Sequence, residues 1–367
     1  ALALAERGQP VVLIDAQAQP MQEASRWNEG KLHLGYVYAS DQTLATARAM
    51  IRGSLSFLPT LQGLIGCRLP DSAFSRPFIY AVPRDSQLSP EAIASHFQRV
   101  DALIEQARNG HGDTGFPVWP LPPARRIAVE PHFDGSEVAA AFETAEFALD
   151  PHRVADAVAE AVLQHPRIEF IGSTTVQSID NSDEHARLRF RAHPGVHTFD
   201  WVVNASWRSL LALDASAGFP SGVPRMYRYK LSLQSTAPFT ATLPSTTLVL
   251  GPYGDVVSYA SGRHYLSWYP SCRIASSFDT AHPTFPASRT PQTDAKAARE
   301  ALQALAQRLQ ALKELEQHAW QIDGGWILAA ATSDIDDPHS GLHARHAIGV
   351  RRLGRVVSID SGKYCTA

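Results

Sequence analysis

An α/β fold joined to a second, α+β part built on an antiparallel sheet is predicted by three observations. The chain opens on ALALAERG, a helix-forming stretch that stops at Gly8, and then gives the compact apolar run Val11 to Ile14, so a helix feeds a strand. Short β-prone segments and amphipathic helices then alternate along the chain. From Tyr227 to Trp268 the sequence is rich in Tyr, Val, Thr and Leu without a helical period, which predicts an antiparallel sheet. A length of 367 residues suggests two domains at about 150 residues each.

The elements follow in order. No initiator Met, N-cap or strand stands before the first helix, so the chain is expected to start inside a βαβ unit and to be truncated. Ser89-Pro90-Glu91 opens a helix with Ile93, Phe97, Val100, Ile104 and Ala107 on one face, and Asn109-Gly110 stops it. Asp150-Pro151 caps a second, with Val154, Val158 and Val162 inward. Strands are expected at Ile168–Ile171, Thr174–Ile179, Arg187–Ala192 and Phe199–Asn204. A long amphipathic helix, roughly 293 to 317, carries Leu302, Leu305, Leu309 and Leu312 on one stripe. The closing GKYCTA reads as the start of an unfinished helix.

Composition excludes several classes. With 33 basic against 36 acidic residues the chain has no polycationic signature for nucleic acid or an anionic membrane surface. Cys67, Cys272 and Cys365 lie far apart without C-x-x-C spacing, which argues against a disulfide framework or a thiolate zinc site and fits a reducing, cytoplasmic compartment. No apolar run reaches 18 residues, so no membrane span is expected.

Candidate chemistry lies at four places. The Val11–Ile14 strand ends in Asp15, where a dinucleotide-binding fold puts the acid that accepts from the adenosine ribose; the matching glycine fingerprint would fall before Ala1. A literal G-x-G-x-x-G at Gly110, Gly112 and Gly115 follows a helix and runs into PVWPLPP, the wrong context for that motif. The segment Ser25 to Gly35 interleaves the donors Arg26, Asn28 and Lys31 with Gly30 and Gly35, a composition suited to a pyrophosphate or an electron-rich ring. Asp360-Ser361-Gly362-Lys363 stands between a strand and a nascent helix whose positive end would face an anionic partner. A further cluster, Asp334, Asp336, Asp337, His339, His343 and His346, offers metal-ligand chemistry but lacks the H-E-x-x-H register and sits beside Pro338 and Gly341, so no metal site is assigned.

With these segments in hand, nearly the whole chain resembles the FAD-dependent oxidoreductases of the D-amino-acid oxidase, glycine oxidase and sarcosine oxidase type. The resemblance rests on the order of Asp15, the Ser25 to Gly35 loop, the helix at Asp150 leading to Val176, Val202-Val203-Asn204-Ala205 with Ser206-Trp207, and Ser358 to Lys363 with Thr366. It implies a Rossmann-like FAD-binding domain and a second, α+β substrate domain. It places the first in residues 1–75, 150–215 and 320–367, without its N-terminal strand, and the second in 76–149 and 216–319. It implies FAD contacts from Asp15, Ser25, Arg26, Asn28, Gly30, Lys31, His33, Val176, Asn204, Ala205, Trp207, Ser361, Gly362 and Lys363, the last two near the flavin N1 and C2 carbonyl. The family more often has Glu where Asp15 stands, and WNEGKLHLG suggests a branch away from the named amino-acid oxidases.

On this reading the Tyr227 to Trp268 sheet covers the flavin and offers Arg225, Tyr227, Arg228, Lys230, Arg263, Tyr265, Trp268 and Tyr269 to a small-molecule substrate. Arg228, Tyr265 and Tyr269 are the catalytic candidates, for an Arg can grip a carboxylate in bidentate fashion and a Tyr can donate its hydroxyl. The implied activity is hydride transfer from a C–N or C–O bond to flavin N5. A metal-dependent hydrolase using the Asp334 to His346 cluster and a cofactor-free remnant are the alternatives. The sequence leaves the electron acceptor open between O₂, a quinone and another carrier.

Overall fold

The computed structural model describes all residues except 109, 111–113, 192–194, 236–242, 282, 285, 315–318, 338, 344, 348 and 367. Its largest element is a nine-stranded sheet, running Arg273–Ser277, Arg225–Ser235, His264–Trp268, Gly254–Ser258, Ser245–Leu248, Phe78–Pro83, Val138–Glu143 and Arg125–Ile127, with Trp320–Ala330 paired along Arg225–Ser235. Both faces are covered, as strict alternation in Phe78–Pro83 shows. Phe78, Tyr80 and Val82 join the core under helices Ala45–Ile65 and Pro90–Arg108, whereas Ile79 and Ala81 join the core under Pro291–Arg308.

The expected antiparallel sheet is therefore mixed, since Ser245–Leu248 runs parallel to Phe78–Pro83. The strand Trp320–Ala330, grouped by the sequence with the cofactor-side segments, belongs instead to the large sheet. It is hydrogen-bonded to Arg225–Ser235 over its full length.

Smaller sheets form the other side. Val11–Ile14 pairs parallel with Ile168–Ile171, and Val202–Asn204 pairs parallel with Val356–Asp360, which Gly349–Leu353 extends. The expected strand Phe199–Asn204 is two strands. Phe199 ends an antiparallel partner of Ala186–Phe190, while Val202 starts in a different sheet, so the chain must turn between them. Thr174–Ile179 begins only at Val176, after Ser173 at φ 53°, and Arg187–Ala192 is Ala186–Phe190, with Ala192 outside the described residues.

The helices follow their sequence signals closely. Ser89 Oγ accepts from Ala92 N at 3.2 Å at the head of Pro90–Arg108, and Asp150 accepts from His152 N at 3.0 Å at the head of Pro151–Gln164. The stop expected at Asn109 lies outside the described residues, as does Gly112 of the G-x-G-x-x-G; Gly110 sits in a turn and Gly115 in irregular chain, at φ 68°. The long helix expected near 293–317 starts earlier, at Pro291 with a Thr290 capping box, and ends at Arg308; a tight turn, Gln310–Glu314, keeps Leu312 buried, and 315–317 lie outside the described residues.

Helix Ala45–Ile65 has no counterpart in the sequence reading, and it seats the C-terminal segment. A Cβ at Gly53 would lie 1.6 Å from Cys365 O, so only glycine lets the turn Tyr364–Thr366 lie on this helix. Phe57 and Tyr364 stack beside that contact at 5.1 Å. Gly53→Ala is expected to cost more than about 1 kcal/mol in urea unfolding, by forcing the chain at Cys365 away. Gly63→Ala, in the same helix with nothing within 4 Å of its Cβ, should instead stabilise by about 0.5–1 kcal/mol. Equal effects at the two positions would discard the contact as a constraint.

Candidate functional site

A cavity of about 960 Å³ runs between the small parallel sheets and the large sheet, bordered from Asp15 and Val176 at one end to Tyr269 and Lys363 at the other. Every cofactor-contact and catalytic candidate lies on its wall except Arg26 and Gly30, whereas the further sheet candidates Arg225, Tyr227, Arg263 and Trp268 do not.

At the Asp15 end the carboxylate closes the Val11–Ile14 strand. One oxygen accepts from Gln17 N at 2.9 Å. Burial pushes its carboxyl up, opposed by the Gln17 N–H and by Arg208, so the group is a half-buried acceptor on the wall of a slot. Val176 faces the same slot, half-buried, at the start of its strand. Asn204 and Ala205 end the Val202–Asn204 strand. The Asn204 amide is spent on the protein, donating to Leu210 O and Asp214 and accepting from Ser206 Oγ, so it shapes this turn from within. Trp207 holds φ 50° and donates its indole N–H to Trp326 O at 2.6 Å, tying that turn to the large sheet.

The Ser25 to Gly35 loop differs from the donor-rich cradle its composition predicts, because Arg26, Asn28 and Lys31 already have partners within the protein. Arg26 pairs with Asp156 at 2.5 Å. Asn28 donates to the carbonyls of Ala24 and Ser25 and accepts from Gly30 N, so it folds the loop on itself. Lys31 is buried, donating to Thr247 Oγ1, 3.3 Å from Asp255 and 3.9 Å above the Phe78 ring. Gly30 is glycine for a protein contact, since a Cβ there would lie 1.8 Å from Leu149 O, and Gly35 similarly admits Ala47.

The other end is built by the large sheet. Along Arg225–Ser235 the residues Tyr227, Tyr229, Leu231 and Leu233 enter the core, and Arg228 and Lys230 face the cavity. Tyr265 comes from the neighbouring strand and Tyr269 from the turn after it. Tyr269 lies 5.6 Å from the Arg228 guanidinium and 4.3 Å from the Lys230 ammonium. Burial pushes the Tyr265 hydroxyl up, whereas Tyr269 is lowered because Lys230, Arg228 and Lys363 outweigh its burial.

The remaining sheet candidates are engaged elsewhere: Arg225 with Asp360 at 2.8 Å, Arg263 with Asp150 at 3.2 Å, Tyr227 against Trp326, and Trp268 against Tyr253.

Ser361, Gly362 and Lys363 reach this end from the C-terminal segment. Gly362 has φ 72° and the residues after it form one short turn, so what faces the cavity is the Lys363 ammonium rather than the end of a long helix. Lys363 bonds Glu29 at 3.0 Å. Burial works against the charge on Glu29, but Lys363, His33 and Lys230 hold its carboxyl well below the usual range.

Sequence reasoning assigned no role to Glu29, Tyr38 or Arg345 and read His343 only within the metal-type cluster, yet all four line the cavity. The period-2 pattern of RMYRYKLSLQS places Arg228 and Lys230, both named from the sequence, on one face; no local pattern marks Arg345, which opens a short 3-10 turn.

The Asp334 to His346 cluster is dispersed. Asp334 meets Arg273 at 3.0 Å, Asp336 meets Arg273 at 3.0 Å, and Asp337 accepts from Ser333 and His339 N. His346 lies 3.8 Å from Asp41. Among the described residues no group of three ligand-type side chains converges on a metal position, and the hydrolase alternative gains no support.

His33 and His343 are driven neutral, chiefly by burial, with values near 3 and 4. Their folded values lie below the ordinary 6.5, so below that pH the unfolded chain binds the extra protons. Their contribution is complete above about pH 6.5 and is lost as pH falls, by about 1.4 kcal/mol per unit for each imidazole. Urea unfolding of His33→Asn is expected to show a shallower loss of stability between pH 6.5 and 4 than the parent protein. Identical slopes would mean that His33 charges freely in the folded state.

The comparisons with known proteins follow this geometry. The family model of the FAD-dependent oxidoreductases, DAO, matches residues 1–343. No relative is found among curated protein sequences. Glycine oxidase from Geobacillus kaustophilus superposes with a TM-score of 0.66 at 14% identity, covering 98% of this chain and 84% of that one. L-Proline dehydrogenase from P. horikoshii gives 0.64 at 15%, covering 100% and 85%. L-α-Glycerophosphate oxidase from Mycoplasma pneumoniae, solved with FAD bound, gives 0.64 at 14%, covering 100% and 88%. At such identities the likeness shows a shared fold, and the family match shows the rest: the chain belongs to the DAO family of FAD-dependent oxidoreductases.

Proposed function

We propose that this protein oxidises a C–N or C–O bond of a small, carboxylate-bearing substrate held over the flavin by Arg228, Tyr265 and Tyr269. The observation that carries this reading is Arg228. It is 2% exposed and borders the cavity, and its Nε and Nη1 have no hydrogen-bond partner among the described residues. Its nearest carboxylate, Asp334, is 3.6 Å away and shared with Arg273. A buried guanidinium with vacant donors fits a carboxylate that arrives with the substrate.

The residues present also fit FAD. The cavity is continuous from an unfinished acceptor at Asp15 to a cationic end at Lys363, as an adenosine ribose and a flavin ring require. In this reading Asp15 accepts from the ribose hydroxyls, Val176, Ala205 and Trp207 line the cofactor, and Ser25, His33, Ser361 and Gly362 bound the ring end. FAD, when bound, supplies the hydride acceptor, its N5. The protein's own part is to place the substrate C–H bond by the Arg228 grip, to donate from Tyr265 and Tyr269, and to keep water out with the walls of the large sheet.

Residues 1–75, 150–215 and 331–367 form the cofactor side in this proposal, and 76–149 with 216–330 the substrate side. No helix among the described residues is long and apolar enough to cross a membrane. All three cysteines are free thiols, which supports the cytoplasm as the compartment.

Heat release of the cofactor from full-length protein, followed by chromatography, should yield FAD; FMN or no flavin would sink the assignment of Asp15. Anaerobic mixing with amino acids, amines, hydroxy acids and polyol phosphates should bleach the absorbance near 450 nm for an acid. Arg228→Met should raise the concentration needed by at least about 30-fold, the loss of one charge-assisted grip. Because Glu29 neutralises Lys363, Glu29→Gln should raise the flavin midpoint potential and Lys363→Met should lower it, both read by potentiometric titration. Unchanged midpoints would remove this pair from the ring.

A further inference from the structure

Five cations border the Tyr269 end of the cavity: Lys31, Arg228, Lys230, Arg345 and Lys363. Three have carboxylate partners, namely Asp255 for Lys31 at 3.3 Å, Glu29 for Lys363 at 3.0 Å and, more distantly, Asp334 for Arg228 at 3.6 Å. Lys230 and Arg345 have none within ion-pair distance among the described residues. Yet they are only 6% and 9% exposed, and Arg345 Nε has no hydrogen-bond partner.

An isolated cation out of water is costly, and the carboxylates that reach these two, Asp255 and Glu29 for Lys230 and Asp360 for Arg345, are each already paired with another cation, Lys31, Lys363 and Arg225. Phenol oxygens of Tyr38, Tyr265 and Tyr269 lie around them, but neutral dipoles do not replace a counter-charge. Arg228 and Lys363 add positive charge to the same pocket, and Arg345 and Arg228 disfavour each other. Two buried positive charges therefore have no carboxylate of their own, since those within reach are already matched to Lys31, Lys363, Arg225 and Arg228.

We propose that the substrate carries a second anionic group, and that Lys230 and Arg345 receive it. This rests on the oxidoreductase reading above and narrows its substrate class to small acids bearing another carboxylate or a phosphate. The two sources share the chemistry of a compact anion facing a lysine and an arginine.

The test is calorimetric titration of the full-length, flavin-loaded, oxidised protein with acetate, malonate and inorganic phosphate as probes. Malonate, phosphate or both should bind at least ten-fold more tightly than acetate, and the tighter of the two identifies the second group. Lys230→Met and Arg345→Met should each cut that preference at least five-fold, while Lys230→Arg keeps it. Ligand-free Lys230→Met should melt at or above the parent temperature, because an uncompensated buried charge has been removed; a clear fall in melting temperature would make Lys230 structural and overturn the proposal. Equal affinity for all three probes would overturn it too, and if monocarboxylic acids still bleach the flavin, the oxidoreductase reading stands without it. A protein carrying no flavin overturns both.

Discussion

The register between Arg225–Ser235 and Trp320–Ala330 governs this molecule, because eleven consecutive pairs fix which side chains of the first strand face the core and which face the cavity. Tyr227, Tyr229, Leu231 and Leu233 fall on the core side. Arg228 and Lys230 fall on the other. A slip of one residue would drive two cations into the core under helix Pro291–Arg308 and turn four large apolar side chains toward the ligand, a change no local adjustment could absorb. Glycines at 324 and 325 belong to the same constraint. A side chain on either would collide with the backbone, of Lys230 in one case and of Ala24 in the other, so the strand can lie against both its partner and the Ser25 to Gly35 loop.

Electrostatics at the site follow a single pattern, in which the loop nearest the cavity satisfies itself and leaves the sheet to supply charge. Arg26, Asn28 and Lys31 were the conspicuous donors of that loop, and all three have partners within the protein. Glu29 is its contribution, and it acts by tempering Lys363. The two ends of the cavity are thereby furnished by different elements: an acceptor at the end of a parallel strand, and cations on an antiparallel one.

Much of this was legible in the sequence where the signal was local. Asp15 could be placed because an apolar strand ended in an acid, and Asp150 because a cap precedes a proline. Helix Ala45–Ile65 escaped because it has neither a polar cap nor acids in its first turn, and holds Gly53 and Pro59 within it. The partners of Arg26 and Lys31 escaped for a different reason. Asp156 and Asp255 are remote in sequence, and composition shows a donor without showing what already occupies it. Arg345 is the extreme case, a cation at the head of a short 3-10 turn whose meaning comes only from what surrounds it.

The bond between Glu29 and Lys363 joins positions 334 residues apart. Thr46 meets His343 and Met50 meets Cys365 across 297 and 315. A site closed by such contacts cannot form until the segment from His343 to Cys365 has been synthesised, and that segment must find partners far ahead of it in the chain. Until then the buried cations of the large sheet stand open to water, where they cost little. The nascent protein therefore passes through a stage with its sheet built and its pocket unsealed, and the segment from His343 to Cys365 is what closes that pocket.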